Sequence, residues 1–300
     1  MFSQLCPEQF QSCFITWVQS ISQVTQGEIV AIDGKTLRRS HDRSGNKAAI
    51  HRVSAWACEN GLVLGQLKTE EKSNKITAIP TLLKLLELKG CIVTIDAMGC
   101  QKDIAQAIRE SDADYVLALK ANHKRFYNDV RLFLDASIEV LGSNKDASFD
   151  YHETLDADQG RIEIRRYWMS HDIGWLDQKE QWRDLQTRGI AESERHIGDK
   201  VTIERRYFIS SLDNSAERFG NAVRKHWGIE NNLHWVLDVA FREDESRVRK
   251  DCAPENMAML RHIALNLLKQ ETSLKRGVKT KRLKAGWDDN YLFKVLGIAR

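Results

Sequence analysis

Two short runs constrain this chain more than any others: residues 28–33, EIVAID, and residues 91–96, CIVTID. Each is apolar and β-branched, too short for a stable helix, and closed by an acid with a glycine soon after, at Gly34 and Gly99. Such runs read as buried strands, with Asp33 and Asp96 as their last residues. Residues 49–58 and 62–69 read as two further strands, joined by the hairpin signal Asn60-Gly61. A helix is expected from after 73–74 to about 88, with Leu82, Leu83, Leu85, Leu86 and Leu88 on its core side and Gly90 as its stop. A second helix over about 101–110 leads to a third apolar strand, 115–119. Strand, hairpin, helix, strand, helix, strand is an α/β order with a mixed sheet.

Asp33 and Asp96 then occupy the same place on two strands. If these strands are parallel neighbours, the carboxylates lie side by side at one sheet edge, where open α/β sheets hold ligands. Two such charges repel and raise one pKa unless a cation intervenes. For either Asp alone, the ordinary reading is a turn or capping acid.

Residues 224–244, RKHWGIENNLHWVLDVAFRED, carry a third acid. At 100° per residue, Phe219, Val223, Trp227, Leu233 and Leu237 share an apolar sector with His226, Glu230 and His234. Glu230 is placed near the centre of that sector, where a buried acid needs a cationic partner or a metal ion. His226 and His234 lie a turn either side, a spacing unusual for zinc and better suited to supporting roles.

Between these landmarks, residues 123–214 read as a β-rich insertion. A basic helix over 124–134 and a polar loop precede the strand-like RIEIRRYWM and VTIERRYFISSL. Arg161, Arg165, Arg166, Arg205 and Arg206 alternate with Tyr167, Trp168 and Tyr207, as a surface for nucleic acid would. Pairing with Glu163 and Glu204 explains most of these arginines slightly better. A helix over about 254–269 is expected to bury Met257, Leu260, Ile263, Ala264, Leu267 and Leu268. Beyond it, seven basic residues between Lys269 and Lys284 face only Glu271, which suits a polyanion or a solvated tail.

The composition is that of a soluble chain: 300 residues, 42% apolar, 29% charged, net charge +3. The six cysteines form no CxxC pair and read as reduced thiols of a cytoplasmic protein. No run is long enough to span a membrane. No phosphate-binding loop competes with the acids for a phosphoryl-transfer role.

The segments AIDGKTLRRS, KSNKITAIPTLLKLLELKGCIVTIDAMGCQ, DYVLALKAN, RKHWGIENNLHWVLDVAFRED and KAGWDDNYL together resemble the DDE transposases of the ISAs type. These include the H-repeat-associated proteins linked to Rhs elements. The resemblance runs from about residue 10 to 296 and keeps the order and spacing of its motifs. It implies an RNase H-like mixed sheet flanked by helices, with the β-rich insertion before the catalytic-Glu helix. It also implies Asp33, Asp96 and Glu230 as catalytic and metal-binding acids, holding two Mg²⁺ ions that Mn²⁺ can replace. The reaction implied is cleavage and transfer of strands at insertion-sequence ends, on double-stranded DNA, with a homodimer expected on that DNA. Residues 28–300 read as the catalytic domain, with its basic tail at 269–300, and residues 1–27 as the remnant of an N-terminal helical region. Such a remnant leaves a non-catalytic DNA-binding protein as the alternative. Lys35, Arg38, Arg39, Arg161, Arg165, Lys275, Arg276, Lys279, Lys281 and Arg282 are the candidate DNA contacts. Where related transposases have Tyr and Arg before the Glu and Lys after it, this chain has Val223, His226 and Leu237.

Overall fold

A computed structural model describes residues 2–22, 25–41, 48–69, 75–141, 148–158 and 160–298. In chain order its elements are α1 (Pro7–Ile21), β1 (Ile29–Thr36), β2 (His51–Ala57), β3 (Leu62–Lys68), α2 (Lys75–Leu83), β4 (Ile92–Ile95), α3 (Lys102–Glu110), β5 (Asp114–Leu119) and α4 (Lys124–Leu141). There follow β6 (Phe149–Asp158), β7 (Arg161–Ser170), β8 (Thr187–Ile197), β9 (Lys200–Ser210), α5 (Ala216–His226), α6 (Trp235–Phe241), α7 (Ala253–Gln270), α8 (Val278–Ala285) and α9 (Asp289–Val295). The contacts divide the chain into two units, Met1–Glu87 with Trp227–Arg300, and Leu88–His226.

The first unit is built on the antiparallel meander β1-β2-β3. Ile29, Val30, Ala31 and Ile32 are each at most 1% exposed. Burying a large aliphatic side chain contributes about 1.5–3 kcal/mol, which is why this run holds the centre of the unit. Gly61 takes a φ of +64° in the β2–β3 turn, a conformation that the expected Asn-Gly signal supplies. Strand β1 runs three residues beyond Asp33, which pairs with Ser54 inside the ladder. Asp33 is therefore not a strand-end residue, as the apolar run suggested; β1 continues because β2 offers partners as far as His51.

Helix α2 ends at Leu83, five residues early, and Leu85 is exposed. Pro80 lies inside it, and the chain then tightens into Leu85 N–H to Leu82 O and Leu86 N–H to Leu83 O contacts. The residues at 73–74 that were expected to start this helix lie outside the described residues. Helix α7 buries a different face from the one its apolar pattern predicts: Met259, His262, Leu265 and Asn266, with Met257, Leu260 and Ile263 only half-buried. Specific polar contacts set this phase. The Asn266 amide bonds both the N–H and the C=O of Val63 at 2.9 Å, and Asn256 Nδ2 donates to the carbonyls of Phe2 and Leu5. The basic tail is folded. Leu268, Tyr291 and Val295 form a small core with Phe241, Leu274 and Val278, and α8 and α9 close over it.

In the second unit β4 and β5 are parallel, and β5-β9-β8-β7-β6 continues antiparallel, a mixed sheet. Helix α5 packs against β7, β6 and β4 through Phe219, Ala222 and Val223. The approach is close: a Cβ on Gly220 would meet the Tyr167 ring at 2.7 Å, and one on Gly189 would meet Phe219 at the same distance. The β-rich insertion is present, but two of its strands, β6 and β8, fall where a loop and a charged segment were expected. Their alternation is hidden because both faces carry charge, which is tolerable only because ladders of opposite charge satisfy it. Arg166 contacts Glu153, Glu192 and Glu194, Arg205 contacts Glu192, and Arg206 contacts Glu204. The polyanion reading of these arginines gives way to internal pairing.

Candidate metal centre

Within the first unit, ligand atoms of Asp33, Glu230 and His234 lie within 4.8 Å of one another. Asp33 comes from β1, half-buried, with its Oδ1 accepting the Gly34 N–H at 2.6 Å. Its Oδ2 lies 3.5 Å from His234 Nε2. Successive strand residues alternate faces, so Asp33 shares its face with Lys35.

Glu230 and His234 stand at the two ends of a single π-helical turn, Glu230–His234, in which Trp235 N–H reaches back five residues to Glu230 O. Such a turn takes up one residue more than an α-helix does, so the residues beyond it are rotated by about 100° from α-helical phase. A single 3.6-residue period therefore does not run unbroken across 224–244. Trp227, assigned to the apolar sector, is 42% exposed, whereas Leu233 and Leu237 are buried as expected. Glu230 is also exposed. The energetic argument that it is a buried acid in need of a partner fails, although its carboxylate does face Asp33.

Lys35 ties the π-turn to β1. Its Nζ donates to the Asp238 carboxylate on α6 and to the His234 carbonyl at 3.4 Å, and lies 3.5 Å from Glu243. Glu243 is the buried centre of this network. Its two oxygens accept from Arg52 Nη1 at 2.9 Å and Nη2 at 2.7 Å, and Arg261 lies at 3.6 Å. Burial alone would raise the Glu243 carboxyl; the Arg52 charge and hydrogen bonds, with Lys35 and Arg261, hold it below the ordinary carboxylate range. Lys35 and Arg52 are direct cross-strand partners, a repulsive pair that only an acid between them makes tolerable. In the sequence Glu243 was merely part of an acidic turn, and nothing nearby signals its partner 191 residues away.

Asp96 belongs to the second unit. It follows the last residue of β4 and opens a short 3-10 turn, its Oδ1 accepting the Gly99 N–H at 3.2 Å. Asn122 Nδ2 donates to Ala97 O, and the His123 ring bonds Cys100 O, so the turn is fixed from the β5 side. Asp33 and Asp96 thus do not share a strand position, one lying within its ladder and the other just past its strand. His226 bonds Thr94, two residues before Asp96, at 2.9 Å.

The candidate DNA contacts divide by exposure. Arg38, Arg39, Arg161, Lys275, Arg276 and Lys279 are exposed. Lys35 is engaged as described, and Arg165 is buried against Asp156 and Glu163. Lys281 is buried too, its ammonium capping the carbonyls of Leu268 and Glu271. Arg282 is half-buried, 5.7 Å over the Phe241 ring. Lys35, Arg165 and Lys281 are thus structural cations, because desolvated charges this well paired do not leave their partners for a phosphate.

The profile of the transposase DDE domain family matches residues 25–267. The chain belongs to this DDE transposase family. "Putative transposase YncI" of Escherichia coli O157:H7 is 44% identical over 96% of this chain and 73% of its own length. "H repeat-associated putative transposase YhhI" of E. coli K12 is 40% identical over 98% of this chain and 78% of its own. Among solved structures, a piggyBac transposase synaptic complex with hairpin DNA superposes with a TM-score of 0.44 at 13% identity, over 97% of this chain and 60% of that one, a likeness too loose to carry weight. As a DDE transposase of the H-repeat kind, the chain has the mixed sheet, flanking helices and β-rich insertion that the resemblance implied. Among its described residues no helix is long and apolar enough to cross a membrane.

Proposed function

We propose that this DDE transposase performs divalent-metal-dependent cleavage and joining of DNA strands at insertion-sequence ends, with Asp33, Asp96 and Glu230 as its acids. The observation that carries the proposal is the donor set in the first unit: two carboxylates and an imidazole, drawn together from positions about 200 residues apart. The set fits a cation. Two donors on one ion are at most about 4.2 Å apart, twice a bond of ~2.1 Å, so a small adjustment from 4.8 Å suffices. When bound, Mg²⁺ or Mn²⁺ supplies charge stabilisation and an activated oxygen for phosphoryl transfer.

The chain's own residues supply position. Asp33 is held by the ladder and by the Gly34 N–H. Lys35 fixes the segment bearing Glu230 and His234 against the strand bearing Asp33. Exposed Glu230 leaves its side of the donor set open to a DNA backbone. For Asp96, the support is family membership and its place just beyond β4. Exposed Lys275, Arg276, Lys279, Arg38, Arg39 and Arg161 are the proposed phosphate contacts, and the work belongs in the cytoplasm, on double-stranded DNA, by a homodimer.

The test is strand cleavage and transfer on duplexes carrying the element's ends, with Mg²⁺ or Mn²⁺. Asp33→Asn, Asp96→Asn and Glu230→Gln each should abolish both reactions and retain metal-free DNA affinity. A parent that binds DNA but gains no stability from either metal is a non-catalytic DNA-binding protein, and the proposal fails.

A further inference from the structure

We infer that His234 is a nitrogen ligand of this centre, and that it turns the site from Mg²⁺ towards Mn²⁺ and related transition ions. The inference rests on the metal reading proposed above and goes beyond its three acids.

Three observations converge on His234. Its residue is 4% exposed, yet neither Nδ1 nor Nε2 makes a hydrogen bond. Buried ring nitrogens are normally satisfied, and an exception calls for a reason, of which a role as a metal ligand is one. Its donor lies within 4.8 Å of those of both Asp33 and Glu230, so it faces the carboxylates and not only the apolar interior. The contact with Asp33, at 3.5 Å, is too long for a hydrogen bond between the two side chains. Lastly, His234 closes the π-turn that Glu230 opens. Turns of this kind interrupt α-helices frequently at functional sites.

Ligand chemistry gives the consequence. Mg²⁺ favours oxygen donors in near-ideal octahedral geometry and resists dehydration. Imidazole suits the later divalent ions, whose affinity for nitrogen rises along the first transition row. Mn²⁺ opens that row and keeps oxygen ligands too, but it takes a nitrogen donor at less cost than Mg²⁺ does, so two carboxylates and one imidazole favour Mn²⁺ over Mg²⁺ more than an all-oxygen set does. A charge pair between His234 and Asp33, with no metal role, would produce no such preference.

The test uses the full chain without DNA. Calorimetric titration of the parent should give a Kd for MnCl₂ at least tenfold below that for MgCl₂. His234→Gln, which offers an amide oxygen near the place of Nε2, should weaken Mn²⁺ at least tenfold and Mg²⁺ less than threefold. Pulsed electron paramagnetic resonance of the Mn²⁺-loaded parent should show coupling to a ¹⁴N nucleus, and this readout stands even if His234→Gln fails to fold. An unchanged ratio of the two affinities in the variant, or a Mn²⁺ spectrum without nitrogen coupling, overturns the inference while the acids keep their proposed role. Absence of saturable binding of either metal by the parent sinks that role as well.

Discussion

Replacing Glu243 by Gln is the sharpest test of how the first unit is held together. The side chain of Glu243 is fully buried and that of Arg52 is 2% exposed, so neither reaches water. Gln keeps the shape and removes the charge, which leaves the Arg52 guanidinium and Lys35 facing each other across β1 and β2 without an acid between them. Removing one partner of a buried pair costs about 3–5 kcal/mol. At about 2–4 °C per kcal/mol for a domain of roughly this size, the melting temperature should fall by roughly 6–20 °C. The pH dependence has a definite sign. The folded Glu243 carboxyl lies below its unfolded value of about 4.5, so its contribution is present above that pH and is lost as pH falls through the folded value. Urea unfolding of parent and variant between pH 3 and 7 should therefore converge at the acid end. The double variant Arg52→Met, Glu243→Leu should regain much of the loss, since well-packed apolar replacements of buried pairs are often neutral or better. A loss below about 1 kcal/mol for Glu243→Gln at pH 7, or a double variant no better than the single, refutes the reasoning.

Two further outcomes follow from the described geometry. Lys275→Ala, Arg276→Ala and Lys279→Ala combined should lower the steepness of the salt dependence of DNA binding by up to about three counterions, measured by fluorescence anisotropy at several salt concentrations, whereas Lys281→Met should destabilise the tail and leave that slope alone. His262 is fully buried with both ring nitrogens unbonded, and burial, reinforced by the positive charge of Arg52, holds its pKa well below 6.5. Its contribution is full above the unfolded value near 6.5 and fades as pH falls towards the folded one, by up to about 1.4 kcal/mol per pH unit; His262→Met should remove that slope from urea unfolding between pH 5 and 7, and equal slopes in the two proteins would contradict the assignment.

Elements that bury an apolar run were legible from the residues alone. Strands β1, β2, β3, β4 and β5 and helix α3 lie within a few residues of where periodicity and the Asn60-Gly61 turn put them. Elements stabilised by partners distant in sequence were not. Strands β6 and β8 look like charged loops until their arginines and glutamates are set opposite one another. Helix α7 buries Asn256, His262 and Asn266 in preference to half its leucines, because backbone groups of Val63, Phe2 and Leu5 await two of those side chains. Asp33, Asp96 and Glu230 stood out from their own runs before the resemblance gave them a role, but the matched strand ends and the buried helix face that drew attention to them did not hold. His234 was noticed only for its spacing from Glu230; its unbonded ring nitrogens, shared with His262, and its place beside the Asp33 carboxylate, which His262 lacks, are properties of three dimensions. Glu243, paired with a residue on a strand far earlier in the chain, left no local trace at all.

The turn between Glu230 and His234 also bears on how such a chain can drift. Asn231 and Asn232, which fill it, are both exposed. Their side chains carry little packing, so many substitutions there are tolerable. Their number is another matter. Loss of one residue would remove the extra residue that the turn holds, and the segment would close into ordinary α-helix with the elements on either side keeping their orientation. Glu230 and His234 would then stand three residues apart instead of four, so the spacing of the two donors would change while Leu237 kept its burial. A single-codon deletion here would therefore reach the donor set and spare the packing on either side of it.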